Sequence, residues 1–439
     1  MLQALYLRKA FLLLGDIVLL YFSLLLTLFF GFGGKFSWPV FFEHLFPFSL
    51  LYACWLIIFY IFGLYELNVT QTKINFYPRL LGGLLSGFIV GIFFFYLVPL
   101  FGITPKTNLF INILIFGVLV LFWRRSFYFL FSRRLSNNVA ILGKNRKGEF
   151  IAKEIASRPY LGYKLVAIFN ESRDLLPRLR KRKINTLILT EDLTSNFDLL
   201  QDLYRCLEAR INFMDWTQFY EIVCEKVPVS LVNQAWFLEN LREGEKGFYD
   251  KIKRGWDVIS AVILLIITSP LWALIGLAIK MEDMGPVFYF QERIGKDRKS
   301  FNICKFRSMK KDAEKGTGAV WAKKKDPRVT RIGKFLRRTH LDELPQIINV
   351  LKGDIGFVGP RPERPEFVTE LEKEIPHYQI RHLIRPGFTG WAQLKFRYGR
   401  TIMDSQEKFQ YDLYYLKNRN PFLDLGILLK TLKLFFKKE

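Results

Sequence analysis

Four apolar runs, near Phe11 to Phe32, Phe46 to Leu64, Leu80 to Phe101 and Leu109 to Leu130, open the chain and leave few choices for how it folds. Each is about 20 residues, the length a helix needs to cross the hydrocarbon core of a bilayer. Residues 1–134 are therefore expected to form a four-helix transmembrane bundle. The content of 51% hydrophobic and 16% aromatic residues, 44 of them Phe, is too apolar for an ordinary soluble domain. The first run follows Arg8 and Lys9 and shows no small-residue cleavage site, so it reads as a retained span, with the mature chain starting near Met1. Arg8, Lys9, Lys73, Arg79, Arg124, Arg125, Arg133 and Arg134 fall on one side of the spans and only Lys35 and Lys106 on the other, which predicts that both ends of the bundle are cytosolic.

The formal net charge of +24 asks for an anionic partner: lipid headgroups, a nucleotide, a phosphorylated lipid or nucleic acid. Its cations flank apolar segments, which favours lipid and argues against nucleic acid. Cys54, Cys206, Cys224 and Cys304 form no CxxC pair, so neither a zinc ribbon nor a disulfide framework is implied.

From Asn138 the composition turns mixed. Short β-type runs, Val139 to Leu142, Leu165 to Phe169, Thr186 to Leu189 and Arg210 to Phe213, alternate with charged helical stretches, and residues 135–225 are expected to form a small Rossmann-like α/β domain. Its first turn, Gly143-Lys-Asn-Arg-Lys-Gly148, lacks the GxGxxG spacing that brings a backbone against a pyrophosphate. Nucleotide binding there stays open; a structural or regulatory domain that kept the fold without a ligand is the simpler reading. Residues 226–247 read as a connector to a catalytic domain at 248–439.

That last domain opens with Lys251, Lys253 and Arg254 and an apolar segment from Val258 to Ile279, broken by Ser269-Pro270. A straight fifth span would carry everything after it across the membrane, whereas the basic flanks on both sides, continuing through Lys280 and Arg293, want the cytosol. Pro270 removes a backbone donor and Ser269 can re-satisfy the freed carbonyl, so a bent, re-entrant membrane hairpin near 256–280 is expected.

The densest polar information follows, in Lys305-Phe-Arg-Ser-Met309, Arg337-Arg-Thr-His-Leu-Asp-Glu-Leu-Pro-Gln346, Gly359-Pro-Arg-Pro-Glu363 and Arg385-Pro-Gly-Phe-Thr-Gly-Trp-Ala-Gln393. Leu344, Ile347, Ile348 and Leu351 make one helical face ending near Lys352-Gly353, which sets Asp342 and Glu343 in the first turn of a helix whose N-terminal donors depress the Asp342 pKa. Taken alone, such a pair reads more simply as capping. As chemistry, Asp342 is a candidate nucleophile towards phosphorus once cations neutralise the phosphate, with Lys305, Arg307, Arg337, Arg338 and Arg361 as candidates, and Glu343 can hold Mg2+. Prolines on either side of Arg361 fix the backbone that aims its guanidinium, which makes Pro360-Arg361-Pro362 the expected nucleotide-phosphate clamp. His340, His377 and His382 match no HExxH-type pattern and read as surface or hydrogen-bonded residues. No GxxxxGK[ST] loop occurs anywhere.

These four motifs, with the Ser-Pro break, resemble the bacterial sugar transferases, or polyprenyl-phosphate hexose-1-phosphate transferases, over roughly Phe248 to the C-terminus. The upstream bundle and α/β domain look like the extension of the family's long members, which start exopolysaccharide, capsule or O-antigen units. The resemblance implies an enzyme of the inner membrane, its monotopic domain of re-entrant and amphipathic helices on the cytosolic face. It implies that Asp342 attacks the β-phosphate of a UDP-sugar, releasing UMP, and that polyprenyl (undecaprenyl) phosphate then takes the phosphosugar. By the same resemblance Glu343 contacts Mg2+, Lys305, Arg337 and Arg361 bind phosphate, and Ser269-Pro270 breaks the membrane helix. His340 departs from the small polar residue expected there, and the phosphate-binding turn of the α/β domain is degenerate. A glycosyltransferase releasing UDP, and a non-catalytic membrane scaffold, are the rival readings. A homodimer is consistent with the apolar spans.

Overall fold

The apolar runs form four helices, α1 (Leu2–Gly31), α2 (Trp38–Ile61), α3 (Lys73–Leu97) and α4 (Lys106–Phe129), the shortest of 24 residues. At 1.5 Å per residue that is about 36 Å, longer than the ~30 Å core of a bilayer. The computed structural model describes residues 2–31, 37–67, 73–97, 106–131, 136–170, 175–190, 197–207, 209–229, 232–311, 313, 327–396 and 401–435. Of the basic residues used to orient the spans, Lys35, Arg133 and Arg134 lie outside them. Leu12, Leu24, Phe48, Trp55, Phe116 and Val120 fill the bundle core, and a ring of large apolar side chains faces outward, as a lipid solvent permits. One cluster of polar groups inside is bonded together: Asn112 donates to Ser23 (3.0 Å) and Thr27 (3.2 Å) and accepts from Tyr52 (3.2 Å). Arg124, expected among the flanking charges, is instead buried and paired with Asp16 at 2.6 Å. With a fifth long apolar helix described below, the chain is an integral membrane protein, mixed α/β and mostly helical.

A four-stranded parallel sheet follows, built from β1 (Asn137–Leu142), α5 (Arg146–Ser157), β2 (Tyr163–Phe169), α6 (Leu175–Lys181), β3 (Thr186–Leu189), α7 (Phe197–Leu207), β4 (Asn212–Asp215) and α8 (Trp216–Cys224). The strand order is β2-β1-β3-β4. The fourth strand starts two residues later than its β-type run because Arg210 takes a left-handed conformation, φ 54°, that turns the chain out of α7. The bundle and sheet make one compact unit, residues 1–223; residues 224–439 make another.

The second unit runs α9 (Gln234–Leu241), α10 (Gly247–Asp283), β5 (Phe288–Ile294), β6 (Ser300–Phe306), α11 (Arg331–Arg338), α12 (Gln346–Lys352), β7 (Gly356–Val358), α13 (Pro365–Glu374), β8 (Gly387–Thr389), α14 (Trp391–Lys395), α15 (Ile402–Asn418) and α16 (Pro421–Phe435). Val227, Val229, Phe237 and Leu241 lie in its core beside Leu371, Trp391, Phe409 and Leu416, so the stretch expected as a connector is part of the body it leads into.

Helix α10 is 37 residues long and continues through Pro270. Pro270 cannot donate to the carbonyl of Ile266, and Ser269 Oγ donates to that carbonyl instead (2.9 Å). Ala261, Trp272, Ile275 and Ile279 pack inward on α12, β6 and α11, while Ile259, Ile263, Ile266, Ile267, Leu274 and Leu277 face out. Both ends are tied to the same body. Arg254 donates to the carbonyl of Leu351 (2.8 Å) at the end of α12, and Glu282 accepts from the backbone of Arg331 (2.7 Å) at the start of α11.

Candidate functional site

Strand β6 pairs antiparallel with β5, Lys305 opposite Tyr289, and its alternation buries Cys304 and Phe306 while turning Lys305 to the other face. Asn349 of α12 fixes this strand, accepting from the backbone of Cys304 (2.9 Å) and donating to the carbonyl of Asn302 (2.8 Å). Helix α11 lies against the residues after β6, capped by Thr330, which accepts from Gly333 N (2.9 Å). Gly333 is required there, because a Cβ would fall 2.0 Å from the carbonyl oxygen of Ser308. The chain leaves α11 through His340, which is exposed and left-handed (φ 56°), a conformation that histidine adopts more readily than most residues.

Asp342 and Glu343 sit in a single 3-10 turn, Leu341–Glu343, and not in the first turn of α12, which starts at Gln346 with Pro345 as its cap. The first amides of that helix are occupied: Ile347 donates to Leu344 (3.1 Å) and Ile348 to Pro345 (3.0 Å). The predicted depression of the Asp342 pKa by helix donors is therefore wrong. Burial, joined by the charge of Glu343, pushes Asp342 above its ordinary value, and Lys305, Arg337 and His340 only partly oppose this. Among the described residues no hydrogen bond or ion pair engages the Asp342 carboxylate. Glu343 behaves oppositely. Its burial is outweighed by Arg361 and Lys305, each 2.7 Å from Oε1, which hold it well below the usual carboxylate range.

Arg361 reaches Glu343 from a different segment, and its own side chain is 44% exposed, open to a ligand. The arm carrying it is bonded at four successive carbonyls. Pro360 accepts from Gly387 N (2.9 Å), Arg361 from Arg381 Nη2 (2.8 Å), Pro362 from Arg293 Nη1 (3.1 Å) and Glu363 from Ile294 N (3.0 Å). Arg381 is buried, paired with Asp412 (3.0 Å) and hydrogen-bonded to the Tyr378 hydroxyl. Burial pushes Asp412 up to about 6 despite the charge of Arg381.

The other expected phosphate ligands are less uniform. Arg337 is half-buried, and its Nε donates to Ser308 (2.8 Å). Arg338 is exposed on α11. Arg307 is buried and paired with Asp283 at the end of α10, so it serves as an anchor of that helix and does not reach Glu343 in this arrangement. Ser269 and Pro270 lie mid-way along α10, exposed on its surface. His382 is buried, and desolvation with the neighbouring Arg381 and Arg298 lowers it to about 3, which keeps it neutral. Among the described residues no three His, Cys, Asp or Glu side chains gather as a metal cage. Arg293, Tyr378, Arg381 and Asp412 were not legible as site residues: each is one more charged or aromatic residue among many, with no local pattern to mark it.

Comparison with known proteins places a family match inside the second unit. Residues 248–438 match the family described as bacterial sugar transferase. The chain is 40% identical over 237 residues to the UDP-N-acetylgalactosamine-undecaprenyl-phosphate N-acetylgalactosaminephosphotransferase of Aeromonas hydrophila, covering 53% of this chain and 54% of that one. It is 32% identical over 354 residues to the undecaprenyl-phosphate glucose phosphotransferase of Komagataeibacter xylinus, 76% of this chain and 66% of that one. It is 38% identical over 185 residues to an exopolysaccharide production protein of Rhizobium leguminosarum bv. phaseoli, 41% of this chain and 92% of that one. The chain thus spans between about half and two thirds of the length of the first two.

Proposed function

The chain belongs to the bacterial sugar transferase family, and we propose that it transfers a hexose-1-phosphate from a UDP-sugar to polyprenyl phosphate, the first membrane step in building a polysaccharide. The observation that carries this reading is the pairing of opposites in one 3-10 turn: Glu343 neutralised by Lys305 and Arg361, and Asp342 beside it, buried and, among the described residues, unbonded. A diphosphate entering beside Arg361 and Lys305 meets the cations it needs, and those cations let a carboxylate approach phosphorus against like charge. An Asp342 oxygen forms a bond to the β-phosphorus, the bond from that phosphorus to the bridging oxygen breaks, and UMP leaves with the electron pair. The phosphate of the lipid then attacks the same phosphorus, returns Asp342 as the free carboxylate and gives polyprenyl-diphosphate-sugar. One site serves both substrates in turn.

The residues fit Mg2+ in one arrangement. No protein cage exists among the described residues, but a hard cation needs only one or two carboxylates when substrate phosphates supply its other oxygens, and Glu343 is the carboxylate at hand. When bound, Mg2+ would neutralise the diphosphate and stabilise departing UMP. Glu343 itself orients the Lys305 and Arg361 side chains towards the turn.

For topology, we read the catalytic unit as lying on the cytosolic face, with α1 to α4 crossing the membrane and α10 re-entrant. The support is that both ends of α10 are bonded to one body, through Arg254 and Glu282, which a single crossing would divide. The test is direct. Enzyme in detergent, given UDP-sugar labelled in the β-phosphate and no acceptor, is expected to retain label on Asp342 and release UMP in equal amount, and EDTA is expected to prevent both. UDP as product, or no retained label from an active preparation, would exclude the mechanism.

A further inference from the structure

The exposed guanidinium of Arg361 is held at 2.7 Å from Glu343 by a backbone that has little freedom, and the origin of that rigidity lies outside the acidic turn. Prolines 360 and 362 restrict φ on both sides, yet ψ of each residue stays free until its carbonyl is bonded. Two of the four carbonyl partners are backbone amides of β5 and β8; the other two are buried or half-buried arginine side chains. The bond to the carbonyl of Arg361 itself comes from Arg381. Its guanidinium is 6% exposed and uses its fork in three directions, to the Arg361 carbonyl, the Asp412 carboxylate and the Tyr378 hydroxyl. Asp412 belongs to α15 and is 3% exposed. A buried guanidinium needs such a counter-charge, and a planar fork holds three partners at fixed angles where an ammonium would not.

We propose that Arg381, anchored by Asp412 and Tyr378, is the positioning residue that fixes the backbone of Arg361 and so aims its guanidinium at the donor phosphate. The assignment rests on the proposed role of Arg361 and deepens it: the recognition of a diphosphate is set by a helix, α15, whose side chains do not touch the acidic turn through any bond described above. Arg293 makes the equivalent bond one residue on, at Pro362, and is steadied by Glu363. The two arginines therefore grip the arm from its buried side while Arg361 faces out.

The experiment is a double-mutant cycle on the full-length enzyme in native membranes, following UMP release with a UDP-sugar the preparation turns over. Arg381→Gln and Asp412→Asn are introduced together, so that no lone charge stays buried, first with Arg361 intact and then with Arg361→Ala. With Arg361 intact the pair is expected to lower kcat/KM on the order of 10- to 100-fold, as a displaced catalytic contact does. With Arg361→Ala already present the same pair is expected to change kcat/KM less than about twofold, because the group it positions is gone. Equal losses in both backgrounds would overturn the proposal and make the Arg381–Asp412 pair a brace for the body alone. If Arg361→Ala by itself leaves kcat/KM unchanged, it is the underlying role of Arg361 that fails, and the positioning role with it. Tyr378→Phe, which deletes one hydroxyl and keeps the ion pair, runs the same cycle should the double variant not accumulate. It is expected to give a smaller loss, about threefold, that likewise vanishes without Arg361.

Discussion

The crevice of the α/β sheet and the acidic turn of the second unit are both places where a ligand belongs by architecture, and they treat their polar groups in opposite ways. In the sheet, the order β2-β1-β3-β4 reverses between β1 and β3, and a doubly wound fold takes its ligands just beyond those strand ends. There Asn145 caps α5 by accepting from Gly148 N (3.0 Å) and donates to Thr190 (3.0 Å), whose hydroxyl donates to the carbonyl of Leu142 (2.9 Å). These groups are neutral and satisfied by one another. At the acidic turn, Asp342 is buried with no hydrogen bond or ion pair among the described residues, and two cations share one oxygen of Glu343. Charge kept buried with too few partners raises the free energy of the fold, and it persists where chemistry uses it. The contrast agrees with a scaffold role for the first region and with the reaction site proposed for the second.

The contrast is broken most severely at Asp342. Asp342→Asn replaces the carboxylate by a poor nucleophile and is expected to lower UMP release at least about a thousandfold, roughly 4 kcal/mol of transition-state stabilisation. The same variant is expected to melt at a higher temperature than the parent near neutral pH. The folded pKa of Asp342 is raised, so its ionisation opposes folding at every pH above the carboxylate range, and an amide removes that opposition. Activity retained would place the nucleophile elsewhere, and a lower melting temperature would deny that the fold holds the Asp342 carboxyl above its ordinary value.

A smaller and more specific effect concerns pH. The attacking group must be ionised, so activity is expected to fall as pH drops through the pKa of Asp342, along a limb lying above the ~3.9 of an ordinary aspartate. Glu343→Gln removes a negative neighbour and releases Lys305 and Arg361, and both changes favour ionised Asp342. Turnover should therefore drop while the acid limb moves to lower pH. A pH–rate profile of UMP release checks the sign, and a limb that stays or moves upward would deny the coupling between the two carboxylates.

The smallest effect belongs to the sheet. Asn145→Ala removes a cap and the bond to Thr190 and is expected to destabilise the α/β unit by about 1 kcal/mol, with kcat/KM changed less than twofold. Differential scanning of the purified protein, with the same UMP assay, measures both. A large loss of turnover at unchanged stability would mean that the crevice takes part in the reaction and would erase the contrast.

What the sequence determined by itself is what depends on near neighbours and on solvent. The length of four apolar runs fixes four membrane-length helices, because a backbone in hydrocarbon must bond within itself. The strand rhythm after Asn138 was readable because alternation and buried β-branched runs are local; the fourth strand slipped only where a left-handed Arg210 overrode it. The spacing Leu344, Ile347, Ile348, Leu351 marked α12, and Gly353, at φ 92°, ends it as expected. The tertiary structure alone decided which of many cations matter. Lys305 and Arg361 meet on Glu343, Arg307 turns to Asp283, and Arg381 bonds both Arg361, 20 positions away, and Asp412, 31 positions away. It also reversed the sign of the Asp342 shift. Proximity in the chain promised helix donors, but desolvation by the packed body is a property of everything around the carboxylate, and no window of sequence contains it.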